Sequence, residues 1–262
     1  MRLNKSIIIA ITLVVILVGF VWFRLSSNKV NDLPEIIDAG RLTIITDSSS
    51  LGFATIGDSV FGFQFEIAKA FADSLGVELV VVEENSIDNA VAELKNGNCD
   101  LVANFIPLTS AYKQDLLFSQ PFKISRLMLV QPVDADMINR QYQLANDTIF
   151  IQRNSPAKSR IQNLSDEIAD TIYQVEVEGS TVEEMVRMVS EGKIKQTVCC
   201  EFLAPNLKLK YENIDISLPL GMSQFHGWAV NAEAPLLQEK LNAFLNDFIG
   251  SSDYWKIYRK YY

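Results

Sequence analysis

The chain has 262 residues, 48% hydrophobic and 21% charged, with a formal net charge of −9. That length supplies one large domain or two modest lobes, each with its own core. The acidic balance argues against nucleic acid as a partner, and a single histidine, His226, leaves little for a histidine-based metal cluster or a Ser-His-Asp triad.

Ile7 to Phe23 (IIIAITLVVILVGFVWF) is an unbroken uncharged run, preceded by Arg2 and Lys5 and closed by Arg24. As a helix rising about 1.5 Å per residue it reaches roughly 25 Å, the short end of what crosses a bilayer. A cleaved signal peptide has a shorter apolar core followed by a small-x-small site. Val21, Trp22, Phe23 and Arg24 occupy that place, and no cysteine follows for lipid attachment. Residues 7–24 are therefore expected to be a single-pass signal anchor, with residues 1–6 in the cytoplasm and the rest of the chain outside it. Setting aside Arg2, Lys5 and Arg24 leaves 20 basic residues against 32 acidic ones in the exported part. Cys99, Cys199 and Cys200 cannot all pair within one chain, so the core is expected to hold without a disulfide framework.

Residues 25–35 are polar and read as a tether. RLTIITD (41–47) has the β-branched density of a buried strand. Gly62 to Leu75 reads as a helix with Ile67, Ala68, Phe71 and Leu75 inward and Gly76 ending it. VELVVVE (77–83) is a strand, Ser86 to Asn96 a helix, and CDLVANFI (99–106) a third strand. This alternation predicts a mostly parallel sheet covered by helices. A long extended stretch (118–133) interrupts the rhythm. A second α/β run then follows: a strand at 148–152, a helix over 156–169, a strand at 171–177, a helix from Thr181 to Ser190 and a strand at 196–200. A second extended stretch (216–230) leads to a helix after Pro235. Two α/β units joined by two extended crossings predict a hinge between lobes, with a ligand cleft at the carboxyl ends of the strands.

Several stretches together resemble the family 3 bacterial extracellular solute-binding proteins: GFQFEIAKAFADSLGVELVVVE (62–83), LKNGNCDLVANFIPLTS (94–110), LLFSQPF (116–122) and the C-terminal WAVNAEAPLLQEKLNAFLNDF…YWKIYRKYY. The resemblance spreads over residues 36–262. It implies an α/β, two-lobed type II periplasmic-binding-protein fold with two hinge crossings, lobe 1 being 36–122 and 229–262 and lobe 2 being 131–223. Within the family, TDSSSLGFATIGDSVFGFQFEIA and the stretch from Val177 to Leu220 look like the binding module of membrane-bound lytic transglycosylase F. Those enzymes carry a separate C-terminal lysozyme-like domain, to which nothing up to Tyr262 corresponds.

The resemblance implies a membrane-anchored periplasmic protein that binds or senses a small polar ligand: amino-acid-like, a peptide or a cell-wall fragment. It needs no cofactor or metal, catalyses nothing, and has a transporter or peptidoglycan enzyme as its expected partner. The competing expectation is a degenerate, non-binding module that regulates or docks on a cell-wall enzyme or transporter. The family's carboxylate-holding arginine falls on Tyr112 and its ammonium-holding aspartate on Cys200, so both charges are missing. Each charge-assisted contact is worth about 1.5–3 kcal/mol, which argues against ordinary free amino acids. Lys113 and Glu201 stand beside those positions as substitutes, although a one-residue shift on a strand turns a side chain to the other face.

The remaining ligand-binding candidates are Ser48, Ser49 and Phe53 after the first strand, Asn104 and Thr109 at the third, and Gly179, Ser180 and Thr181 at a helix start. That start carries a capping-box pattern, so simple capping competes with anion binding. Phe53 and Tyr112 are candidates for stacking on a ligand, with core packing the alternative for Phe53. His226 is expected to be structural or hinge-forming, Cys199 and Cys200 to end a buried strand, and the Tyr254–Tyr262 aromatics to pack on the first lobe.

Overall fold

A computed structural model describes residues 29–57, 59–133 and 136–262. The expected anchor, residues 7–24, lies outside the described residues, among which no helix is long and apolar enough to cross a membrane.

The first departure from expectation comes at once. The stretch read as a tether ends in a helix, α1 (Leu33–Ala39). Asp32 nucleates it, its carboxylate accepting from Leu33 N while Glu35 reaches back to the Asp32 N–H in a capping box. The same carboxylate accepts from Leu236 N and Leu237 N at 3.2 and 2.7 Å, where a C-terminal helix begins. One aspartate thus satisfies orphan N–H groups of two helices. Asp32→Ala should lower stability by about 1–2 kcal/mol, read as a fall in the urea midpoint; an unchanged midpoint would contradict this.

Strand β1 (Arg41–Thr46) is followed by a short hairpin, β2 (Ala54–Ile56) and β3 (Ser59–Phe61), which the sequence pattern did not suggest. Next come α2 (Phe63–Leu75), β4 (Glu78–Glu83), α3 (Ile87–Lys95), β5 (Leu101–Pro107) and a single turn, α4 (Ser110–Lys113). The first extended crossing resolves into β6 (Leu116–Phe118), β7 (Lys123–Ser125) and β8 (Leu127–Pro132). The second unit holds β9 (Thr148–Gln152), α5 (Ala157–Glu167), β10 (Tyr173–Val177), α6 (Val182–Ser190), β11 (Thr197–Cys200), α7 (Ala204–Lys210) and β12 (Ile214–Asp215). The chain returns on β13 (Gln224–Asn231) and closes with α8 (Pro235–Phe248) and α9 (Ser252–Tyr261).

The first-unit sheet runs β4-β1-β5-β13-β6, with β7 also on β13. β1 is parallel to β4 and β5, whereas β13 returns antiparallel to β5, β6 and β7. On one face Phe63, Ile67 and Phe71 of α2 pack with Leu237, Leu241 and Leu245 of α8 and with Trp228. On the other, Ala90, Val91 and Leu94 of α3 cover Ile45, Val102 and Ile106. The stripes spaced three and four residues apart on these helices become those buried faces. The C-terminal aromatics pack as anticipated: Tyr254, Tyr258, Tyr261 and Tyr262 all set their rings edge-on to Phe63.

In the second unit β9 pairs parallel with β10, and β8 lies antiparallel to β11 and β12. The two ladders meet where Phe150 N donates to Gln196 O at 3.1 Å and Thr197 Oγ1 donates to Phe150 O at 2.8 Å. Separate apolar clusters lie on either side, one against α5 and one against α6. Arg126 precedes β8, and its guanidinium donates twice to Glu201 Oε1, at 2.8 and 3.0 Å, just past β11. Gln152, Cys200 and the start of α6 therefore face the carboxyl ends of β1 and β5 across a cleft.

Candidate ligand-binding cleft

The first unit contributes a tight loop after β1. Asp47 Oδ1 accepts from the Ser49 N–H and hydroxyl, and Oδ2 accepts from Asn104 Nδ2 at 3.1 Å. Ser49 Oγ in turn accepts from Gly52 N, and Phe53 N donates to Asp47 O at 2.8 Å. Only glycine fits at position 52, because a Cβ there would stand 2.1 Å from both Asp47 O and Oδ1. Ser48 is held by Asn85, whose Oδ1 accepts from its N–H and hydroxyl.

The second unit answers from α6. Thr181 caps that helix in a box with Glu184, the plain capping role. One residue before Glu184, Glu183 projects over the cleft and accepts from Ser50 Oγ at 2.6 Å. Two more bonds join the lips: Ser86 Oγ donates to Asn154 O at 3.2 Å and Asn154 Nδ2 to Asn89 Oδ1 at 3.3 Å. Asn154 does this from the left-handed region, at φ 53. The two units are closed on each other.

Two adjoining chambers lie inside. The inner one, about 100 Å3, is walled by Asp47, Gln64, Asn104, Glu183 and Phe202 among others. The outer one, about 130 Å3, is mostly apolar, with Pro107, Leu127, Met185 and Val198 in its wall. Ile87, Phe105, Gln152, Val182 and Cys200 border both. Phe202 lies against Phe105, with ring centroids 4.7 Å apart, and closes the inner end.

Burial and the facing Glu183 carboxylate raise the pKa of Asp47, against the opposing effect of its Ser49 and Asn104 bonds. A carboxylate whose folded pKa exceeds its unfolded one binds a proton more readily when folded. Its effect on stability is therefore most favourable below the unfolded value, near 3.9, and is lost as pH rises through the folded value. Asp47→Asn should accordingly stabilise the ligand-free protein at pH 7 and have little effect at pH 3.5. Equal melting-temperature changes at both pH values would contradict this.

The predicted site residues separate into two groups. Ser49, Asn104, Thr181 and Cys200 wall the inner chamber, while Ser48, Gly179 and Ser180 line its polar mouth. Asn104 lies within β5 rather than after it. Burial, then the negative field of Asp47, pushes the Cys200 thiol up to about 12, so at neutral pH it is a neutral thiol.

The others do not line either chamber. Phe53 stands edge-on to Phe65, centroids 5.1 Å apart, on its own lobe. Thr109 caps α4. Tyr112 packs beside Ile87 and Leu108, and its hydroxyl donates to Asp88. Glu201 is taken by Arg126, and Lys113 is exposed on α4. Neither Lys113 nor Glu201 stands in the wall of either chamber. His226, on β13, bonds the Gln224 carbonyl through Nδ1 at 3.0 Å and also borders the outer chamber. Burial lowers its pKa, so it is neutral at neutral pH.

The model for bacterial extracellular solute-binding proteins, family 3, matches residues 42–262, spanning every element of both units after α1. The chain belongs to that family. Among curated relatives it is 24% identical over 258 residues to the membrane-bound lytic murein transglycosylase F of Desulfosudis oleivorans, covering 98% of this chain and 56% of the relative. With the protein of the same name from Aeromonas salmonicida it shares 27% identity over 254 residues, 95% of this chain and 49% of the relative. The chain thus spans about half the length of the relatives it matches. Solved structures confirm the fold. Holo ArgBP from T. maritima superposes with a TM-score of 0.70 at 21% identity, covering 87% of this chain and 99% of that one. An ancestral arginine-binding protein bound to arginine gives 0.74 at 20% identity, covering 85% and 98%.

Sequence reasoning missed Asp47, Gln64, Phe105, Gln152, Val182 and Phe202. Asp47 carried a signal, as an acid at the carboxyl end of the first strand. Gln64 carried another, as an amide on the inward face of α2, next to Phe63 and in line with Ala68 and Phe71.

Proposed function

We propose that the chain is an extracytoplasmic binding module, tethered to the inner membrane by residues 7–24, that closes its two lobes on a small polar ligand without catalysing its conversion. The observation carrying this reading is the closed cleft itself. Ser50–Glu183 and Asn154–Asn89 bonds bridge its lips over two chambers at the carboxyl ends of β1 and β5. The lytic murein transglycosylase F relatives favour a cell-wall fragment as ligand and a peptidoglycan enzyme as partner. Ligand binding would shift the hinge equilibrium by its higher affinity for the closed state.

A second reading rests on a specific observation: Tyr112 and Cys200 stand where the family's ligand charges are expected, and Phe202 packs on Phe105 within the cleft. On that reading the module no longer binds solute and acts by docking. The full chain, purified in mild detergent, separates the two by thermal melting against amino acids, short peptides and muropeptides. A ligand at 100 times its Kd adds about 2.7 kcal/mol, seen as a clear rise in Tm. A flat response across the panel would overturn the binding reading and favour the docking one.

A further inference from the structure

We infer that the cleft selects its ligand by a free ammonium and the carbonyl beside it, with an apolar side chain, and makes no use of a carboxylate. The ligand class is an amino-acid amide or the N-terminal residue of a peptide. This inference rests on the binding reading above.

The first observation is the pair of acids. Asp47 and Glu183 stand on opposite lobes of the inner chamber, and neither is ion-paired among the described residues. Asp47 takes Ser49 and Asn104, and Glu183 takes Ser50. A carboxylate offers about four acceptor directions, so both retain capacity for an ammonium.

Among the described residues, no lysine, arginine or histidine stands in the wall of the inner chamber; Arg126 and Arg160 border the outer one. Arg126 is bound to Glu201, and Arg160 donates to both Glu167 oxygens and to Leu220 O. A ligand carboxylate entering the inner chamber meets two acids and no cation.

The second observation is independent of charge. Gln64 is 1% exposed and walls the same chamber. The Trp228 indole N–H donates to its Oε1 at 2.7 Å, which fixes the orientation of the amide. Its Nε2 is buried with no hydrogen-bond partner. Buried donors left unpaired are rare in folded proteins, and a ligand carbonyl would satisfy this one.

The third observation is the adjoining apolar chamber of about 130 Å3, bordered by Ile87, Phe105, Val182 and Met185. It is close to the roughly 150 Å3 of an apolar cavity that takes up benzene, and so suits one leucine- or phenylalanine-sized side chain. Ammonium, carbonyl and apolar group around one carbon describe an α-aminoacyl unit.

The test is titration calorimetry of the full chain in detergent at pH 7, with leucinamide, phenylalaninamide, leucine and N-acetyl-leucinamide. Binding of the two amides at least about tenfold tighter than leucine, a gap of about 1.4 kcal/mol, and no binding of the acetylated amide are expected. Glu183→Gln, at a half-buried helix start outside the apolar clusters, should weaken leucinamide by a similar factor, as should Asp47→Asn. Leucine binding as tightly as leucinamide, or the acetylated amide binding equally, would overturn the inference and leave solute binding standing. So would silence from all four probes while another solute raises Tm. If no solute of any class binds, the inference and the binding reading fail together.

Discussion

Trp228→Ala should destabilise the first lobe more than any other single truncation, by about 3–5 kcal/mol for the cavity alone. Trp228 is fully buried on β13, the strand through which the chain returns to the first sheet, and stands edge-on to Phe122 at 5.6 Å. Among the described residues, its indole N–H is also the sole hydrogen-bond partner of the Gln64 side chain. Losing it leaves a buried amide wholly unpaired, which costs a further 1–3 kcal/mol or so. Native domains have only about 5–15 kcal/mol in hand, so the variant should be largely unfolded at 37 °C. Trp228→Phe separates the two contributions, because it keeps most of the volume and loses the hydrogen bond. Urea unfolding followed by far-UV circular dichroism checks both. A loss below about 1 kcal/mol in the alanine variant would contradict the packing described.

Gly62→Ala should remove ligand binding and stability together. Gly62 sits at φ +150, which side-chain-bearing residues rarely adopt, and a Cβ there would stand 2.0 Å from Gly52 O. The loop after β1 is held against the start of α2 at this point. Leu51 O and Gly52 O accept from Gln64 N and Phe65 N, and Gly62 N donates to the Tyr261 hydroxyl. Loop carbonyls thus do at this helix start what a capping side chain does elsewhere. Backbone strain costs about 1–3 kcal/mol and the steric overlap about as much again. Relief requires the 47–53 loop to move, and Asp47 with it. Gly57→Ala is the control, since its φ of +60 is also left-handed but nothing lies within 4 Å of the added Cβ. It should cost only the backbone contribution and leave binding intact. Melting and ligand titration of both variants test this; equal behaviour of the two would refute it.

The periodic elements were legible because burial imposes its period on the residues. Helix α2, for example, shows Ile67, Ala68 and Phe71 at the spacing its buried face requires. Helix α1 was not, since its seven residues are too few to show a helical period, and what secures it is a distant contact from Asp32 to α8. The site was legible in outline only. Ser49 and Asn104 follow from the rule that ligands sit at strand ends, Thr181 from its place at a helix start, and Cys200 only from the family resemblance. Phe105 and Val182 read as ordinary core, because the wall of a closed cleft is as apolar as the inside of a lobe. Gln64 shows the opposite limit. Its importance lies in an amide nitrogen without a partner, and that becomes visible only once Trp228 has fixed which way the amide points.

The central claim, that this chain closes its lobes on a ligand, is tested most directly by a distance across the cleft. Spin labels on Ala92→Cys in α3 and Ser159→Cys in α5 sit at exposed positions on opposite lobes. The native cysteines leave the labelling selective, since burial raises the Cys99 and Cys200 thiols to about 12 and Cys199 well above its ordinary value. Double electron–electron resonance on the full chain in detergent should give an open and a closed distance without ligand, and saturating ligand should move the population to the shorter one. A single distance, unchanged by every amino acid, peptide and muropeptide tried, would contradict the account.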